Sequence, residues 1–127
     1  MMAKKVISTD RAARPVGPYS QAVEAKGFVF VAGEKGIDPA TGRLVAGGIA
    51  AETRQTLENI RAILAAADLT LDHAVRSVVY LTDMEQFAAM NEVYAQYFGD
   101  APPPRSCVQV GALPAGAHVE IEITAVR

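Results

Sequence analysis

The chain has 127 residues, 50% of them apolar and 20% charged, with 12 Lys plus Arg against 14 Asp plus Glu and a formal net charge of −2. That length buries roughly two thirds of the surface an unfolded chain exposes, so a single domain over 1–127 folds without metal or disulfide staples, and the apolar content excludes disorder. The lone Cys107 excludes an intramolecular disulfide and makes a reducing, cytoplasmic compartment the default reading, while the lack of any Lys/Arg cluster speaks against a nucleic-acid partner.

The N-terminus, Met-Met-Ala-Lys-Lys-Val-Ile-Ser-Thr-Asp, turns polar after two apolar residues and lacks the apolar core of a signal peptide. No apolar run approaches the ~20 residues that span a bilayer, so no membrane partner is expected. Val6 to Thr9 is a weak strand candidate. Phe28 to Ala32 is β-branched and aromatic and precedes the turn residues Asp38-Pro39-Ala40-Thr41-Gly42, which predicts a strand and a tight connection. From Ile49 the period changes: Ile49, Thr53, Thr56, Leu57, Ile60, Ile63, Leu64 and Ala67 recur at helical spacing, with Glu52, Arg54, Gln55, Glu58 and Arg61 between them. Val75 to Leu81 reads as a buried strand. Asp83 and Gln86 have the spacing of a capping box opening a second helix, with Phe87, Met90, Asn91, Tyr94, Tyr97 and Phe98 on one stripe and Gly99 at its end. After Pro102-Pro103-Pro104, strands are expected at Ser106 to Val110 and His118 to Val126. This order predicts an α+β fold with helices on one face of a mixed sheet.

If the last two strands form an antiparallel hairpin, their apolar residues must share the helix-packed face: Val108 and Val110 with Val119, Ile121 and Ile123. The other face then carries Arg105, Cys107 and Gln109 beside His118, Glu120, Glu122 and Thr124, with Cys107 nearly opposite Glu120. Such a face is either solvated, its cross-strand ion pairs contributing little, or a place where an arginine, a thiol and a carboxylate converge. The three prolines favour convergence, because they fix the backbone that presents Arg105. Cys107 has no evident base and reads as a filler thiol rather than a nucleophile.

His73 and His118 with one cysteine give no metal-ligand spacing, so no metal is expected. Gly33-Glu34-Lys35-Gly36 fits neither a P-loop nor a dinucleotide turn, and there is no G-x-S-x-G elbow. Tyr19, in Gly17-Pro18-Tyr19-Ser20, either packs in a turn or presents a phenol to a pocket. Asn91, on the inward stripe of the second helix, needs hydrogen bonds that a neighbouring loop or a ligand could supply.

Taken together, these residues resemble the Rid family of reactive intermediate deaminases (YjgF-like, endoribonuclease L-PSP). The resemblance is carried by Gly17-Pro18-Tyr19-Ser20-Gln21-Ala22, Phe30-Val31-Ala32-Gly33, Asp38-Pro39-Ala40-Thr41-Gly42, Thr53 to Ile60, Asp83-Met84 with Phe87, Asn91-Glu92-Val93-Tyr94, Pro104-Arg105-Ser106 and Leu113 to Glu122. It implies a chorismate-mutase-like α+β fold, a mixed sheet with two helices on one face, and a homotrimer with clefts between subunits. It implies hydrolysis of enamine or imine acids, such as 2-aminoacrylate and its tautomer 2-iminopropionate, to 2-keto acids and ammonia without a cofactor. Position by position, Arg105 would grip the substrate carboxylate and Glu120 would hold or activate water. Cys107 would contribute through its backbone, Tyr19 and Asn91 would line the pocket, and Gly33 would bring a backbone group close to the ligand. A planar guanidinium suits a carboxylate at any cellular pH. The chain departs from the pattern at Ala32-Gly33-Glu34-Lys35-Gly36, where the family commonly has Ser-Gly-Gln, an apolar residue and Pro or Gly.

The resemblance also admits a non-catalytic trimer that binds a small carboxylate through the same Arg105; Glu120 favours the enzyme, since binding alone has no need of that carboxylate. A chaperone-like holdase is a further alternative. The acidic balance and the lack of a His pair oppose the ribonuclease named in the older label.

Overall fold

The computed structural model describes residues 3–127. Strands β1 (Lys5–Ile7), β2 (Ala22–Ala25) and β3 (Phe28–Lys35) are followed by a small hairpin, β4 (Ile37–Asp38) and β5 (Arg43–Leu44), and by helix α1 (Gly48–Ala65). Then come β6 (Ala74–Leu81), α2 (Phe87–Tyr94), β7 (Arg105–Gln109) and β8 (Val119–Val126). The main sheet has the order β1-β2-β3-β8-β6-β7; all its pairs are antiparallel except β6 with β7. Both helices lie on one face, as the alternation of apolar residues predicts. Leu57, Ile60, Ile63 and Leu64 of α1 and Met90 of α2 are fully buried against Val29, Val31, Val79, Leu81, Val119, Ile121 and Ile123. Each such aliphatic side chain contributes about 1.5–3 kcal/mol relative to its exposed state. Among the described residues no helix is long and apolar enough to cross a membrane.

The turn at Asp38 forms as its residues dictate: the Asp38 carbonyl accepts from the Thr41 and Gly42 N–H groups, its side chain accepts from Ala40 N–H, and Gly42 supplies the positive φ of 72°. α1 buries more than its apolar stripe. Glu52, placed between the apolar positions by the sequence pattern, is 1% exposed, and Asn59 is fully buried. Asn59 Nδ2 donates to the carbonyls of Lys35 and Ile37, fastening the end of β3 to the helix. α2 is shorter than its stripe predicts. Asp83 caps a single 3-10 turn by accepting from Glu85 N–H, and the helix stops at Tyr94, well before Gly99.

The expected hairpin of the last two strands does not form. β7 runs parallel to β6 at the sheet edge, while β8 inserts between β3 and β6. Face assignments change with it: Val79 pairs with both Cys107 and Ile121, and Tyr80 pairs with both Val108 and Glu120. Cys107 and Arg105 therefore lie on the helix-covered face, and Val108, 44% exposed, lies on the uncovered one. That uncovered face also presents Val6, Phe28 and Phe30.

Candidate active site

Pro104 delivers the chain into β7 in register, its carbonyl accepting from Ser77 N–H, so that Arg105 stands opposite the buried Ser77. From there the guanidinium reaches over α2. Its carbon lies 4.7 Å from the centre of the Tyr94 ring and 5.5 Å from that of Phe87, a cation held by two aromatic faces. Phe87 and Tyr94 are two helical turns apart on one stripe, which is why one side chain can touch both. Among the described residues Arg105 forms no ion pair.

Arg105 opens into a cleft of about 440 Å³ lined by Asn91, Tyr94, Phe98, Pro102 and Pro103. Asn91 Oδ1, the Tyr94 hydroxyl and Ser77 Oγ are buried here or close by without a hydrogen-bond partner. Burial pushes the Tyr94 phenol up, with Ser77 and Arg105 beside it pulling the other way. An uncompensated cation beside orphaned polar atoms is chemistry suited to a small, hydrogen-bonding anion. Burial also raises the Cys107 thiol, Arg105 opposing it only in part, so the sulfur stays protonated and is a poor nucleophile.

Glu120 sits on the opposite face, on β8, at the point where β3 bulges between Val31 and Glu34. Its carboxylate packs against Gly33: a Cβ there would lie 2.8 Å from Glu120 Cδ and collide with Oε2. Lys35, paired with Glu120 across the strands, brings Nζ to 3.7 Å from Oε1 and donates to the Gly33 carbonyl at 3.2 Å. Glu34 is buried as well, and its carboxyl is pushed up to about 8 by burial, with Glu120 adding to the rise and Lys35 opposing it.

The structure thus joins Arg105, Asn91 and Cys107 on one side of the sheet and Gly33 with Glu120 on the other. It does not bring Arg105 and Glu120 together within one chain, because β6 separates their strands and they point to opposite faces. Tyr19 joins neither group. It lies in the loop before β2, 40% exposed, and its phenol oxygen accepts from Val16 N–H. Sequence reasoning missed the aromatic seat of Arg105, although Phe87 and Tyr94 were visible on the helical stripe. It also missed Lys35 beside Glu120, and the pair in which Glu52 accepts from His118 N–H at 2.8 Å and meets its Nδ1 at 2.6 Å. The last two depend on contacts between distant segments and leave no local signal.

Residues 9–127 match the family model described as Endoribonuclease L-PSP. The chain is 52% identical over 124 residues to a RutC family protein of Pyrococcus horikoshii, covering 98% of each chain. It is 44% identical over 124 residues to the 2-iminobutanoate/2-iminopropanoate deaminase of Mus musculus, covering 98% of this chain and 92% of that one. Among solved structures, E. coli TdcF with bound serine superposes with a TM-score of 0.92 at 41% identity, over 97% of this chain and 98% of that one. A match over nearly the whole chain, with relatives well above 40% identity, establishes that the chain belongs to the Rid, or endoribonuclease L-PSP, family.

Proposed function

We propose that this protein hydrolyses 2-imino acids and their enamine tautomers to 2-keto acids and ammonia, as a homotrimer whose clefts lie between subunits. The observation that carries the reading is the unpaired Arg105 guanidinium, seated on two rings at the mouth of a cleft with unpartnered polar atoms. It would take the substrate carboxylate bidentately and orient the imine carbon. Asn91 and the Cys107 backbone would complete the grip, with Tyr19 closing the pocket. Glu120 would hold the attacking water and accept its proton, then return a proton to the departing nitrogen as C–N cleavage releases ammonia. Water is the only co-reactant this scheme consumes. Because Arg105 and Glu120 face opposite sides of one sheet, a cleft holding both takes them from two copies, which supports the inter-subunit arrangement. The relative named as an imine deaminase and the relative with bound serine support a small amino-acid-like substrate.

The test generates 2-aminoacrylate in situ with a serine or threonine dehydratase, traps unreacted imine with semicarbazide and follows 2-keto acid release over buffer. Wild type outcompetes the trap. Arg105→Ala loses on the order of a hundredfold in kcat/KM, and Glu120→Gln loses about a hundredfold or more in kcat. Folded wild type that never exceeds buffer across several imino acids sinks the proposal.

A further inference from the structure

Resting on the deaminase reading, we propose that Lys35 is a positioning residue for Glu120: its ammonium, tied to the Gly33 carbonyl, holds the carboxylate in one orientation against Gly33. The Lys35 side chain is only 7% exposed, unusual for a residue that ordinarily keeps its charge in water. An ammonium withdrawn this far needs partners, and the described residues supply two, the Gly33 carbonyl at 3.2 Å and Glu120 Oε1 at 3.7 Å. The backbone beneath it has no slack. Asn59 Nδ2 holds the Lys35 carbonyl at 3.1 Å and the Ile37 carbonyl at 2.9 Å, and Gly36 packs so closely on α1 that a Cβ would lie 2.7 Å from Glu52 Cα.

Glu120 is therefore placed by a charge on one side and by close packing on the other. Oε1 faces the Lys35 ammonium, and Oε2 packs where Gly33 leaves room for it. The neighbouring Glu34 does not compete for the ammonium at neutral pH, since its buried carboxyl keeps its proton up to about 8. A general base acts only from within hydrogen-bond reach of its water, so a carboxylate fixed in this way is worth more to turnover than to substrate binding. The grip on the substrate lies elsewhere, at Arg105.

Lys35→Met, close in length and without charge, is expected to lower kcat for 2-aminoacrylate by about tenfold while leaving KM within about twofold, and Lys35→Arg recovers part of the loss. In a Glu120→Gln background the Lys35 substitution adds little, because the group it positions is gone. An independent readout is the Glu120 13Cδ resonance, assigned by its disappearance in Glu120→Gln, which shifts in Lys35→Met. If Lys35→Met does not fold, Lys35→Gln carries the same comparisons. Unchanged kcat, a loss confined to KM, full additivity with Glu120→Gln, or an unmoved resonance each overturns the proposal. Wild type that fails to exceed buffer overturns the deaminase reading instead, and the resonance then decides alone whether Lys35 fixes Glu120.

Discussion

The two halves of the candidate site are built by different means. Around Arg105 the protein uses aromatic faces and an open cleft: the cation rests on Tyr94 and Phe87, with no counter-ion among the described residues, at the edge strand β7. Around Glu120 it uses close backbone approach and an ion pair to a buried lysine in the sheet interior, where β3 bulges and Gly33 omits a side chain. The first arrangement leaves a charge unsatisfied and so invites a ligand. The second satisfies its charge in advance and fixes its geometry, as the role proposed for Glu120 requires. An anchor can tolerate adjustment as substrate binds; a base that is an ångström out of place loses its partner.

The sharpest way to break this comparison is Gly33→Ala. The φ at Gly33 is not among the positive ones, so the backbone accepts alanine, and the clash falls on the flexible end of Glu120. The expected result is a loss of about tenfold or more in kcat from a displaced carboxylate, with the melting temperature changed by only a few degrees. Unfolding, or full activity, would show that the close approach does something else.

Glu34→Gln gives a smaller effect, read in stability. A carboxyl raised in the folded state to about 8 from an ordinary 4.5 binds its proton more tightly when folded. Its contribution is therefore complete below the ordinary value and is lost as pH rises through about 8. Wild type should lose melting temperature between about pH 5 and 9, and the glutamine variant should lose less, measured by calorimetry in matched buffers.

The least change is expected on the Arg105 side, from Tyr94→Phe. The hydroxyl makes no hydrogen bond of ordinary geometry, with Ser77 and Arg105 beside it, so its removal changes unliganded stability by less than about 1 kcal/mol in thermal melts. A loss of more than about 1 kcal/mol would mean that the hydroxyl is already satisfied and the cleft less ready for a ligand.

Much of the fold was legible because its strongest signals are local. Leu57, Ile60, Ile63 and Leu64 announce α1, and the alternation of Val119, Ile121 and Ile123 announces β8. β2 escaped notice because Ala22–Ala25 is short and carries a single β-branched residue, so its place depends on pairing with both β1 and β3. The hairpin error has a physical source. Consecutive strands usually pair, and Val108 looks like a core residue, but an uncovered apolar face gives the same alternation as a covered one. Arg105 and Glu120 could therefore be singled out as residues while their relative placement was inverted. Lys35 was visible only as a departure from a pattern; its contact with Glu120 is set by the bulge in β3, which no short stretch of sequence encodes.

The opposed faces of Arg105 and Glu120 have a genetic consequence. With clefts that take Arg105 and Glu120 from different copies, as proposed above, a copy lacking the arginine would spoil the cleft to which it owes an anchor yet still lend its glutamate to a neighbour, and a copy lacking the glutamate would do the reverse. In an assembly mixed at random from equal amounts of these two defective chains, about a quarter of the clefts would regain both intact groups. Two alleles that are each inactive alone would complement one another, and a heterozygous defect would scale with dose rather than poison the whole assembly.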